Sequence, residues 1–555
     1  MSGINRALHY VTKRSAVYQH GRFLGATQNV EQVQRKRLRR ILAQSSKAQA
    51  SLNRGLSARM SPNSFAAACP VTNYSDWRDW IELNMAGDTG LLTHSNLVRY
   101  QPTSGSTSNI KWIPYSAEFL SEMNRALMAW MGDMYLSVPS IAQGHHYWSV
   151  SWLPTEQRTE LNGNINDDLT LLPLWKRMLA RYYMAVPESI SLAKTSDDSL
   201  FATLAWLISC RDLTFLSVWS PTFALAMFSE IPRLKDELIM VLSKGKWLDR
   251  SETLKTIPCP RSDAAAWHLG QMGSISDSEA LPSLWPNLAL ISSWDTASSA
   301  QWAAKLKECF PHSKFQGKGL WATEGVVTIP MGDQYPLAVD SHYYEFLDLN
   351  SKQVVPCWEL NKGMEVSPII TTGSGLLRYK INDSLVVDGF LNQCPTLSFT
   401  GRLDGTDLAG EKISNQAALD IQLALKSKFD VTSICVLAIP GNKLSELSGS
   451  YEKGCYVLLC APNRSVSRSV LKIEEEFERF LCNSFHYKLA RDLNQLSRAR
   501  VVITPNAMEI YFERCRARGM AEGNVKIEPL VLWDCPLPRI LLTHLSNAIS
   551  AHRMS

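Results

Sequence analysis

No stretch of this 555-residue chain stays apolar for long enough to cross a bilayer. The uncharged run at residues 213 to 229 is broken by Pro221 and by polar side chains, where a span needs about 20 apolar residues. The first residues carry no apolar signal segment. The 12 cysteines are scattered, without a C-x-x-C pair or a histidine at zinc spacing, so neither a zinc ribbon nor a disulfide framework is written here. Cys455 and Cys460 share one apolar, strand-like run. No internal repeat or low-complexity tract stands out, which excludes solenoids and arrays. The expectation is a reduced, cytoplasmic protein with no membrane attachment.

Acids are nearly missing from the first 60 positions. They hold 12 Lys/Arg against one acid, leaving 45 bases and 51 acids for the rest of the chain. The positive charge peaks at QRKRLRR, residues 34 to 40. Around it Val30, Val33, Leu38, Ile41 and Leu42 recur at helical spacing, giving an amphipathic helix with a cationic outer face. Such a run reads as a solvated helix face, and no nucleic-acid partner is expected. Tryptophan, by contrast, is plentiful at 17 residues. Its large, stiff ring with one donor suits both cores and the walls of pockets for aromatic or acyl groups.

The length calls for two or more domains. Residues 30 to 60 read as helical. AEFLSEMNRALMAWMGDMYL, from residue 117, reads as a long helix with Phe119, Met123, Leu127, Trp130, Met131 and Met134 on a buried stripe. Short apolar runs then alternate with helices (TFLSVW, NLALISSW, GVVTIP, SHYYEFLDL), which predicts mixed α/β sheets flanked by helices. Near residue 400 the pattern changes. VTSICVLAIPG and CYVLLCAP read as adjacent strands, followed by a charged helix around residues 466 to 483. A strand at VVITP and a helix opened by Asn506 and Glu509 and closed by Gly519 complete an α+β unit. The predicted division is 1–400, a hinge at 401–410 around Gly401, Gly405 and Gly410, and 411–555.

The run TSGSTS, residues 103 to 108, consists only of Ser, Thr and Gly, and Lys111 follows it. Small residues let a backbone approach a ligand closely, and lysine adds a point charge, so phosphate is the ligand such a loop suits. A plain Ser/Thr-rich turn has the same composition. The loop is not a Walker motif, because Trp112, Ile113 and Pro114 continue as a strand where a helix would be required. Further on, GLWATEGVVTIP sets Thr323 and Glu324 in a short turn before an apolar strand. LLRYKINDSLVVDGF and LSFTGRLDG supply Tyr379, Asp383 and Arg402.

A hydroxyl loop, T-E-G, Y-x-x-x-D and F-x-x-R, in that order, resemble the adenylate-forming superfamily. Within it the chain is similar to the Gretchen Hagen 3 family of acyl-acid amido synthetases and looks bacterial in type. The likeness takes in PVTNYSDWRDWIE, SVWSPTF, CFPHSKFQGKGLWATEG, YYEFL and GNVKIEPLVL. It implies a large N-terminal adenylate-forming domain and a smaller mobile C-terminal α+β domain. The implied reaction uses ATP and Mg²⁺ to join a carboxylic acid to an amine, an amino acid in this family, through an acyl-adenylate. Ser104, Gly105, Ser106, Thr107, Ser108 and Lys111 would hold the β- and γ-phosphates, with Thr323 beside them. Glu324 would ligate Mg²⁺, a hard cation that takes carboxylate and phosphate oxygens. Asp383, an acceptor-only carboxylate, would take the ribose hydroxyls, with Tyr379 and Arg402 nearby. Lys526 would reach the α-phosphate from the small domain and stabilise developing charge.

Two positions depart from the family pattern. Ser108 and Asn109 replace a second loop glycine, and the usual R-x-G-D reads Lys380-Ile381-Asn382-Asp383, where asparagine tolerates positive φ. The acid site is expected at YWSVSW, SVWSPTF and SSWDTASS, with Trp148, Trp219 and Trp294 as walls or as core. His145 and His146 are expected to be hydrogen-bonded structural residues. Two other readings of the same residues stay open: transfer of the acyl group to a thiol, on coenzyme A or a carrier protein, and a nucleotide-binding relative without turnover.

Overall fold

The computed structural model describes residues 3–102, 111–149, 182–274, 279–403 and most of 405–545. Ser104, Gly105, Ser106, Thr107 and Ser108 lie outside the described residues, as do Gly410 and Gly519. The chain divides into two compact units, one reaching to Phe399 and the other beginning at Thr400. No helix among the described residues is long and apolar enough to cross a membrane.

In the first unit the long helix is Ala117–Ser137, and all six residues of the expected stripe are buried. Ser116 starts it: its Oγ accepts from Phe119 N at 3.1 Å and donates to Gly373 O at 2.7 Å. A helix at Gly3–Ala26, ahead of the segment read as helical, packs along it. The crossing is close because residue 132 is glycine; a Cβ there would stand 2.4 Å from Ala16 O. The basic helix, Val30–Ser45, buries Val30, Leu38, Ile41 and Leu42 as expected. Its outer face is not wholly solvated. Arg37 pairs with Asp340, and Arg40 Nε with Glu118 at 2.9 Å. Buried Gln34 donates to Val339 O and His342 O and accepts from Tyr344 N. Much of this charge therefore fastens the helix to its own unit.

The strands fall into small sheets. β1 (Leu97–Pro102) and β2 (Trp112–Ser116) form an antiparallel pair on either side of the hydroxyl-rich run, as the sequence predicts. β3 (His145–Trp148), β4 (Leu213–Ser217), β5 (Leu290–Ser292) and β6 (Lys314–Gln316) lie side by side in that order, all parallel. β7 (Trp321–Ala322) and β8 (Gly325–Val326) make a tight hairpin. β9 (Tyr343–Asp348), β10 (Val354–Pro356), β11 (Glu365–Thr371), β12 (Tyr379–Lys380), β13 (Asp383–Leu391) and β14 (Cys394–Arg402) build a sheet ordered β10-β9-β11-β13-β14, with β12 paired to β11. Parallel strands crossed by helices beside an antiparallel sheet give the mixed α/β architecture read from the sequence.

In the second unit β15 (Gly405–Thr406) pairs with β16 (Ile413–Ser414), so Gly405, expected in a hinge, sits in a short ladder. β17 (Thr432–Ile439), β18 (Cys455–Ala461), β19 (Arg500–Ile503) and β20 (Leu530–Leu532) form a sheet ordered β19-β18-β17-β20. Helix Val470–Leu481 buries Phe477 and Leu481 against this unit's core. Helix Ala507–Ala517 lacks the asparagine cap that its sequence suggests. Asn506 sits at φ −89°, ψ 13° without a side-chain cap bond, and its N–H donates to Thr504 Oγ1 at 3.3 Å instead.

Buried histidines make the first unit sensitive to acid. His146 donates from Nε2 to Ile141 O at 2.8 Å, and its ring lies 4.8 Å from that of His9, tilted against it. Burial depresses its pKa to about 3, and His9 beside it adds to the shift. Between the ordinary histidine value near 6.5 and pH 5, the unfolded chain takes up a proton that the folded chain refuses, so stability falls as pH falls. One such group changes the folding constant by up to about tenfold per pH unit. Urea unfolding midpoints should drop from pH 6.5 to 5 in the native chain. The drop should be smaller in His146→Asn, whose amide can still donate to Ile141. Equal slopes in the two proteins would show that His146 is not the group responsible.

Candidate functional site

Thr323 and Glu324 are the two turn residues of the β7–β8 hairpin. A hairpin this short, with two residues in each strand, does not hold itself. It is held from outside. Tyr115 OH donates to Thr323 O at 3.0 Å, Tyr344 OH to Val326 O at 2.7 Å, and Leu320 N to Thr328 Oγ1 at 2.8 Å. Val326 N donates to Nε2 of His342 at 3.2 Å, so the ring's proton belongs on Nδ1, which donates to Glu122 Oε2 at 2.7 Å. Glu122 also accepts from Gly373 N at 3.0 Å. Both His342 and Glu122 are buried, at 0% and 1% exposure. Gly325 is required by the same packing, because a Cβ would fall 2.9 Å from His342 Nε2 and from Ile370 Cδ1.

Glu324 Oε1 accepts from Tyr379 OH at 3.4 Å. Burial and the neighbouring carboxylate raise the Tyr379 pKa, which keeps the phenol protonated as a donor. Tyr379 is bracketed by Thr72 of the PVTNY segment: Thr72 N donates to Arg378 O and Lys380 N donates to Thr72 O, each at 2.9 Å. Arg378 itself is left-handed, at φ +48°, a conformation that is strained for a side chain of this size. Four bonds hold it there. Its guanidinium grips Glu345 at 2.8 and 3.0 Å and donates to Ala66 O and Cys69 O at 3.0 and 2.7 Å. Positive φ was expected at Asn382; the structure puts it at Arg378, four residues earlier, and Asn382 is not among the left-handed residues. The tight turn therefore precedes Tyr379, and β13 begins directly at Asp383, which is buried at 9% exposure. Lys111 Nζ lies 5.9 Å from the Tyr74 ring centroid, and Tyr74 OH accepts from Trp112 N at 2.9 Å.

Three of the tryptophans collect at the carboxyl edge of the parallel sheet, the edge at which α/β folds place ligands. Trp148 ends β3, and Trp219 and Trp294 follow β4 and β5 by two residues each. Trp219 and Trp294 are half-buried, with ring centroids 5.6 Å apart. Trp148 is buried instead against Trp130 and Phe215, so it belongs to the wall behind. Trp321, at the root of the hairpin, meets both Trp130 and Trp219. The unexpected member is Lys318, whose Nζ lies 4.6 Å from the Trp219 ring centroid. His145 and His146 open β3, three and two residues before Trp148. They are hydrogen-bonded, as expected, but not to each other: His145 Nδ1 pairs with Asp212 at 2.7 Å.

In the second unit Arg402 pairs with Glu528 at 3.4 Å. Lys526 lies two residues before that glutamate in an extended stretch ahead of β20, so the strand itself is shorter than the sequence suggests. Tyr511 OH pins the stretch, donating to Lys526 O at 3.0 Å and accepting from Glu528 N at 2.9 Å. Val525 and Ile527 point into the core and Lys526 is half-buried between them, which is the alternation of an extended chain.

Sequence reasoning missed His342, Glu122, Arg378 and Glu345. Arg378 and Glu345 sit inside quoted motifs, but nothing in spacing pairs residues 33 apart. His342→Phe should keep the ring's volume and remove both bonds. Losing a hydrogen bond to a charged partner costs about 1.5–3 kcal/mol, so the urea midpoint should fall clearly. An unchanged midpoint would mean that the hairpin is held by its other contacts.

A model of the GH3 family N-terminal domain matches residues 19–315, and one of the GH3 family central domain matches residues 335–402. Indole-3-acetic acid-amido synthetase GH3.15 of Arabidopsis thaliana is 24% identical over 422 residues, covering 68% of each chain. Jasmonoyl--L-amino acid synthetase JAR4 of Nicotiana attenuata is 20% identical over 478 residues, covering 80% of this chain and 81% of its own. Among solved structures, AtGH3.15 acyl acid amido synthetase in complex with 2,4-DB superimposes with a TM-score of 0.77 at 19% identity, over 96% of each chain. At that identity the structural likeness is one of fold, and the two domain models carry the assignment. The chain belongs to the GH3 family.

Proposed function

We propose that this protein is an ATP-dependent acyl-acid amido synthetase. It joins the acid's carboxylate to the α-phosphate of ATP, releases pyrophosphate, and passes the acyl group from the adenylate to the amine of an amino acid, leaving AMP. The relatives named above are amido synthetases of plant acids, which supports both half-reactions. The observation that carries the reading onto particular residues is the set Glu324, Tyr379 and Asp383. A carboxylate on an immobilised turn is bonded to a tyrosine four residues before a buried aspartate that opens a strand.

Within that set Asp383 accepts the ribose hydroxyls, and Lys111 with Ser104 to Ser108 meets the β- and γ-phosphates. Glu324 is the residue that would hold Mg²⁺. The donor chemistry fits, since one carboxylate shared with phosphate oxygens is how proteins commonly bind this ion, and its charge offsets that of the phosphates. Thr323 and Tyr379 orient the turn. Trp219 and Trp294 face the acid, with Trp148 in the wall behind them. Lys526 belongs to the second unit, and we assign it to the α-phosphate during adenylation, reached by movement about residues 401 to 410. Arg402 accompanies it and exchanges its Glu528 partner for the nucleotide.

The protein should catalyse acid-dependent exchange of pyrophosphate into ATP and release AMP. Formation of ADP would replace this reading with an acyl-phosphate ligase. Acyl-CoA in place of amide, seen by mass spectrometry, would move the protein to the thiol-acylating class. Asp383→Ala should weaken ATP binding at least about tenfold by calorimetry, the worth of hydrogen bonds to a charged acceptor. Lys526→Ala should slow exchange by about 10²–10³ with ATP affinity nearly intact. Exchange at the native rate in Lys526→Ala would remove that lysine from the chemistry. Glu324→Gln should raise the Mg²⁺ concentration needed for half-maximal exchange.

A further inference from the structure

Lys318 is a lysine in an unusual place. It is 1% exposed, two residues past the end of β6. Its Nζ donates to Ser217 Oγ at 2.7 Å. It also lies 4.6, 4.9 and 5.9 Å from the ring centroids of Trp219, Trp130 and Trp148. A cation is brought into such surroundings only at a cost in hydration, although indole faces return part of it. Ser292, at the end of β5, is the register partner of Ser217 and so shares its face of the sheet; its Oγ is buried without a hydrogen-bond partner among the described residues, and so is Trp321 Nε1. Buried polar atoms normally have partners, so an orphan hydroxyl and an orphan indole N–H among the groups around this lysine call for an acceptor. The acceptor they suit is an oxygen with negative charge or lone pairs.

The contacts also give this group a place along the acid. Lys318 meets Trp130 and Trp219, both of these meet Trp321, and Trp321 opens the hairpin that carries Glu324. A layer of indole therefore separates the ammonium from the turn at which the reacting carboxylate is activated. We propose that Lys318, with Ser292, forms an oxygen-binding subsite at the inner end of the acid pocket. Its ligand is an aromatic acid bearing a second oxygen group, hydroxyl or carboxylate, opposite the carboxylate that reacts. This inference rests on the acid-adenylating reading and narrows its substrate class.

The test is tryptophan fluorescence of the full chain titrated with benzoate, 4-hydroxybenzoate and terephthalate, run beside pyrophosphate exchange with each acid. The native protein should bind one or both oxygen-bearing acids about 10- to 100-fold more tightly than benzoate, the range expected for a hydrogen bond to a charged group. A preference for 4-hydroxybenzoate identifies the hydroxyl as ligand, and one for terephthalate the carboxylate. In Lys318→Met the ratio should shrink by at least about tenfold. Ser292→Ala should shrink it too, and it serves as the decisive protein if Lys318→Met does not fold. Equal binding of the three acids, no saturable binding of any, or a ratio that survives the substitution would each overturn the subsite. Selective binding without exchange would leave the subsite standing and overturn the adenylating reading, whereas exchange without discrimination would do the reverse.

Discussion

One hydrogen bond between two fully buried side chains, His342 Nδ1 to Glu122, ties the candidate site together. Glu122 is on the long helix, His342 precedes β9, and the far ring nitrogen receives Val326 of the hairpin. The same carboxylate takes the N–H of Gly373, whose carbonyl in turn receives the Ser116 hydroxyl that starts the helix. A helix, a hairpin and a loop are thus fixed by one acid and one imidazole, none of whose polar atoms needs water. In a low-dielectric interior such a network is strong when complete and expensive when broken. It sets a two-residue turn at a defined place without any rigidity in the turn itself.

The second fixed point is Arg378, and its logic is different. There the backbone is strained and the side chain compensates, with four hydrogen bonds holding a left-handed arginine between Leu377 and Tyr379. Burial raises the pKa of its partner Glu345, against the pull of Arg378. A pair buried this deeply is weak evidence for stability. Its value lies in direction: the chain leaves Arg378 at one angle only, so Tyr379 meets Glu324 and β13 starts at Asp383. The parallel sheet works by a third means. Its four strands end together, so residues more than 70 positions apart in sequence share an edge because of register alone.

The sequence carried a good deal of this. Periodicity placed the long helix to within a residue at each end, and the strands at residues 432–439 and 455–461 fell inside the runs read for them. Ordered motifs named Glu324 and Tyr379, between which the structure has a hydrogen bond, and Asp383, which opens β13. Local pattern failed where the cause was distant. Gly3–Ala26 has no strong apolar stripe and is helical because the long helix receives it. Asn506 has the right residue type for a cap, yet Thr504 takes that bonding role. Arg378 carries no local signal, since nothing short of Glu345, Ala66 and Cys69 around it explains a positive φ. Lys318 sat in a quoted block unnoticed, because a lysine between two glycines reads as a surface turn until three indoles are seen about it.

The crossing at Gly132 bears on where this chain can be cut. The family match begins at residue 19, in the middle of the first helix. A fragment designed to that limit would lose Ala16, whose carbonyl the missing Cβ of Gly132 accommodates. It would also lose His9, which receives the Tyr135 hydroxyl and donates to Gly144 just ahead of β3. Methionines and aromatics on that side of the long helix would be bared to water as one continuous apolar face, and such faces drive aggregation. The helix that looks like an extension beyond the family's core is, for handling the protein, part of the cover on the long helix.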